Sequence, residues 1–165
     1  MPTAYISNDF EAELIACGRI VQDDDDSVPI QEAERRFNLY VELVDSLRGT
    51  EGANVACILL RSMQSVHDYG AYQHTMNKLV FDFPSSLVAE AVIAEVPRLV
   101  RGFPDWAGEV LNMLVHAQGR SDALVSAFNL ELSGLAAEGR DAFVHFIREQ
   151  EREGWLEHKP GVLAP

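Results

Sequence analysis

The stretch FPSSLVAEAVIAEVPRLVRGFPDWAGEVLNMLV, residues 83–115, decides the fold class. Phe83-Pro84 and Phe103-Pro104 stand 20 residues apart, and each leads into a run that reads as a helix. Proline suits a first helical turn, where its missing N–H has no intrahelical partner anyway. Pro97, inside the first run, is expected to end or kink that helix. Downstream, AQGRSD precedes Leu124, Phe128, Leu132 and Leu135, and AEGRD precedes Phe143, Ile147 and the charged REQEREG. Both groups recur at the three-to-four spacing of one helix face.

Upstream the same period persists. Asn8 with Glu11 three residues later has capping-box spacing, and Phe10, Leu14, Cys17 and Val21 follow on one face. QDDDDSVP breaks that helix, because adjacent aspartates repel and Pro29 cannot continue a ladder. A second helix, roughly 30–48, carries Ala33, Phe37, Tyr40, Val41, Val44 and Leu47 on one stripe. RGTEGAN is a glycine-rich turn, and a third helix, about 53–68, points Val55, Ile58, Leu59, Met63 and Val66 inward. Gly70 reads as a helix end with positive φ, making DYG the corner before Tyr72, Met76, Leu79 and Val80. β-Branched alternation bounded by turns never runs five residues. The chain is therefore expected to be all-α, with seven or eight helices. The arrangement is an irregular bundle or an array of antiparallel helical hairpins, HEAT-like stacking included. One domain spanning 1–165 is expected, with an acidic loop at 22–29 and a short C-terminal tail at 156–165.

Composition narrows the class. The 165 residues are 47% hydrophobic, enough for a buried core, and no apolar run reaches the roughly 20 residues of a membrane span. The N-terminus lacks the basic start and apolar core of a signal peptide, so a soluble, cytoplasmic protein is expected. Cys17 and Cys57 lie in apolar helical patterns outside any CxxC pair, which fits reduced, buried thiols. Thirteen basic against 26 acidic residues give a net charge of −13. A field of that sign repels nucleic acid and anionic membranes and steers basic partners inward.

Chemistry-bearing motifs are missing. The chain has no GxGxxG, GxxxxGK[ST], GxSxG or HExxH. His67 and His74 would share a face only in a helix unbroken at Gly70, and His116, His145 and His158 read as solvated side chains. The aspartates at 23–26 lack the glycine and terminal glutamate of an EF-hand loop. Trp106 sits at a helix start and Trp155 just beyond the last helix, as core packing or as interface anchors. No catalytic residue, cofactor or metal ligand is expected.

The segments DYGAYQHTMNKLVFDFP, PDWAGEVLNML, AFNLEL and FVHFIREQEREGWLE give the region from about 68 to 157 a resemblance. It looks like the small acidic α-helical immunity proteins encoded beside bacterial polymorphic and contact-dependent toxins. Such proteins are not enzymes; each binds a cognate toxin domain, often a basic nuclease, and occludes its active site. The resemblance lends weight to Asp68, Tyr69, Tyr72 and Gln73, and to Asp105 with Trp106, as a partner-binding surface. The acidic run Asp23, Asp24, Asp25 and Asp26 is a further partner-binding candidate on charge alone. The rival expectation is a helical-repeat adaptor or regulatory scaffold that binds another protein.

Overall fold

A computed structural model of the protein describes residues 8–20, 27–64, 68–156 and 159–164. Among these residues there are eight α-helices and no strand, so the all-α expectation holds. The helices are α1 (Asn8–Cys17), α2 (Ile30–Asp45), α3 (Ala53–Arg61), α4 (Tyr69–Asp82), α5 (Ser85–Gly102), α6 (Pro104–His116), α7 (Ser121–Gly134) and α8 (Ala137–Arg152). They fall into two compact units, Met1–Pro84 and Ser85–Pro165, each described by itself.

In the first unit α1 packs on α2 and α3, and α2 packs on α4. Leu14, Val44, Val55, Ile58, Leu59, Leu60, Met63, Leu79 and Phe83 form its buried apolar core, and Cys17 and Cys57 are buried free thiols. At its centre lies a hydroxyl chain. The Ser62 hydroxyl donates to the Leu59 carbonyl at 2.6 Å, which leaves its oxygen to accept from Tyr40 at 2.6 Å. Tyr40 has then given its one proton, so it accepts from Thr75 at 2.7 Å. One chain of protons thus joins α2, the end of α3 and α4, and burial pushes the Tyr40 phenol up to about 12.

In the second unit α5 packs on α6 and α7, α6 packs on α7, and α7 packs on α8. Val88, Val92, Leu99, Leu111, Leu114, Phe128 and Ile147 are buried, with Phe128 and Phe143 edge to face at 6.1 Å. Gly108, in mid-α6, permits a close approach. A Cβ there would stand 2.5 Å from the Gln150 amide oxygen and 3.3 Å from the Trp155 ring. The chain after α8 folds back over this unit. The Asn129 side chain donates to the Val162 carbonyl at 3.0 Å and accepts from the Ala164 N–H at 2.9 Å. Lys159 Nζ donates to the Val115 carbonyl at 2.6 Å, and Leu163 is buried.

Several boundaries differ from the sequence reading. Helix α3 ends at Arg61 rather than near 68, because the Ser62 hydroxyl takes up the Leu59 carbonyl and joins the Tyr40 cluster. Pro97 does not end its helix: α5 runs on to Gly102, although no N–H at 97 can reach the Ile93 carbonyl. Gly70 is not a left-handed helix terminus. It is the second residue of α4 and lies outside the positive-φ glycines 49, 52, 119, 154 and 161. AEGRD, which precedes Phe143 and Ile147, itself forms the first turn of α8, which begins at Ala137.

Candidate functional site

Asp68, Tyr69, Tyr72 and Gln73 come together on the first turns of α4. Asp68 is the N-cap: its backbone is extended, and its Oδ1 accepts the Ala71 N–H at 3.0 Å. Gly70 makes room for that cap, because a Cβ there would stand 2.9 Å from the same carboxylate oxygen. Tyr69 is 46% exposed and stacks on Tyr72, with ring centroids 5.3 Å apart. Tyr72 itself is only 5% exposed, so it supports Tyr69 from within the core and offers little surface of its own. Gln73 is exposed. One turn on, His74 Nε2 meets Asp45 Oδ1 of α2 at 2.9 Å.

Asp105 and Trp106 belong to the second unit. Asp105 is exposed in the first turn of α6, where a carboxylate opposes the positive end of the helix dipole. Trp106, beside it, is half-buried. Asp23, Asp24, Asp25 and Asp26, along with His67 and His158, lie outside the described residues. The acidic loop expected at 22–29 is described only from 27 onward, where Pro29 occupies the N-cap position of α2.

Among the described residues, no group of three or more His, Cys, Asp or Glu side chains could hold a metal ion. Among them too, no helix is long and apolar enough to cross a membrane. His145 faces Glu149 at 3.5 Å on the solvent side of α8, and His116 is exposed at the end of α6.

One feature escaped the sequence reading: an apolar groove between α5 and α8. It has a volume of about 380 Å³, with Val96, Phe143 and Phe146 in its floor. Ile93, Pro97, Val100 and Leu135 form its walls, and Gly139, Ala142 and Arg101 lie at its exposed edge. The available signal was the pair of small residues at 139 and 142, three apart on a helix whose other inward positions are large.

Comparison of the chain with protein-family models, with curated proteins and with solved structures finds no match.

Proposed function

We propose that this chain is an immunity protein that binds a cognate toxin domain and neutralises it by occluding the toxin's active site. The observation that carries the reading is the net charge of −13 on an all-α frame. Charge of that size speeds encounter with a basic partner, and exposed carboxylates can occupy sites built for phosphate. Asp105 is presented this way at a helix N-terminus, and exposed Tyr69 supplies an aromatic contact beside the half-buried carboxylate of Asp68. No cofactor takes part in this role, and neither nucleic acid nor membrane is the partner. The protein acts in the cytoplasm of the toxin-bearing bacterium, before contact with competitors.

A second reading, a helical-repeat adaptor, draws support from the second unit. There α5 packs on both α6 and α7, and α7 in turn packs on α8, as successive hairpins of an array do.

Co-expression with the toxic C-terminal domain encoded next to this chain's gene tests the proposal. Immunity requires that cells survive and that the two proteins co-purify. Death of cells holding soluble, folded protein, with no complex recovered, would leave the adaptor reading in its place.

A further inference from the structure

We propose that the α5–α8 groove is a binding site for an aliphatic carboxylate, with the tail on the apolar floor and the carboxylate on Arg101. The proposal does not depend on the immunity reading.

Two helices leave this space open for reasons written in their sequences. Gly139 and Ala142 bring at most a methyl group to the α8 side. On the α5 side, Pro97 is a compact ring closed onto its own backbone, and it stands in the wall with Ile93 and Val100. The volume of about 380 Å³ is in the range of small-molecule sites, roughly 300–1,000 Å³. Lining residues on α5 run from Ile93 to Arg101, which at about 1.5 Å per residue is a trough about 12 Å long. Such a trough suits an unbranched tail.

Arg101 selects the head group. It is the only charged side chain of the lining, and it is the last lining residue of α5, at the groove's exposed edge. Among the described residues no carboxylate pairs with it, whereas Arg98, one turn earlier, is held by Glu95 at 3.3 Å and lies over the Phe103 ring. A guanidinium at the edge of an apolar surface binds a carboxylate through two parallel N–H···O bonds, which strengthen as water leaves. A cationic amphiphile would meet repulsion at the same point, and a neutral one would leave the guanidinium to water alone.

The test is titration of the full chain with decanoate, below its aggregation threshold, by calorimetry and by backbone amide NMR. Expected is saturable one-to-one binding, with shifts centred on residues 93–101 and 139–146. Octanoate should bind more weakly by about fourfold per methylene removed. Arg101→Gln should weaken decanoate at least tenfold while leaving decanol unchanged. Ala142→Leu should abolish binding of both; Ala142 is exposed, so the larger side chain leaves the fold intact, as circular dichroism would verify. Decanol binding as tightly as decanoate, or indifference to Arg101→Gln, overturns the proposal. So does a dimer in sedimentation velocity that Ala142→Leu dissociates while decanoate fails to saturate, because the groove would then be a self-association surface.

Discussion

Tyr40 shows how much a single buried hydroxyl can specify. Its proton goes to Ser62 because Ser62 has committed its own to the Leu59 carbonyl, and Thr75 completes the chain. Tyr40→Phe removes both bonds and leaves two buried hydroxyls short of a partner. A loss of about 1–3 kcal/mol is expected, read from urea denaturation at neutral pH. The same phenol makes a pH prediction. Folding raises its pKa from 10.0 to about 12, so the stabilising effect is whole below pH 10 and disappears as pH climbs through about 12. In that window the wild type should lose stability more steeply than Tyr40→Phe. Asp68 permits a cleaner separation of roles. Asp68→Ala removes the bond to Ala71 and should cost about 1 kcal/mol, whereas Asp68→Asn keeps a capping oxygen and should cost a few tenths. Equal losses in the two variants would mean that the charge, not the cap, holds the start of α4.

Helix existence was legible in the residues because the apolar period is strong, and Val55, Ile58, Leu59 and Met63 are all buried as that period requires. Helix ends were less legible, for a physical reason. Met63 keeps the apolar period although it lies two residues past the end of α3, so periodicity reports burial and not hydrogen bonding. Gly70 reads as a helix end, yet it sits in the first turn of α4. There the N–H groups have no helical partner to lose, and glycine is tolerated. Of the candidate surface, Asp68 and Tyr69 stand at the start of α4, whereas Tyr72 opens the apolar period continued by Met76, Leu79 and Val80 and is buried with them, as that spacing implies. The α5–α8 groove depends on the distance between two helices, which no local pattern encodes. Pro97 gives the element-scale prediction. Proline inside a helix is about 3 kcal/mol less favourable than alanine. The neighbours of Pro97 have adapted to it, so Pro97→Ala should recover only part of this, about 1 kcal/mol, as a rise in Tm. A fall in Tm would show that contacts of the ring outweigh the restored Ile93 bond.

At the scale of the molecule, the immunity proposal has charge govern association and a few apolar side chains govern lifetime. Under that proposal, thirteen excess negative charges would attract a basic toxin domain over distances that salt shortens to about 8–10 Å at physiological ionic strength. The on-rate for the complex should therefore fall steeply as salt rises, while the off-rate changes little. Neutralising variants should separate along the same line. Asp105→Asn and Asp68→Asn keep their helix starts and should slow association. Changing Asp23, Asp24, Asp25 and Asp26 to serine should do so more strongly if that run faces the partner. Trp106→Ala and Tyr69→Ala should instead speed dissociation, as loss of an aromatic anchor does. Tyr72→Ala belongs to a different class: with 5% of its surface exposed it should destabilise the first unit, by about 3–5 kcal/mol for a deleted core aromatic, and weaken binding only through unfolding. Stopped-flow mixing at several salt concentrations, with the folded fraction of each variant measured in parallel, resolves the three classes. An on-rate indifferent to salt would remove electrostatic steering from the mechanism, and with it the inference from charge on which the immunity proposal rests.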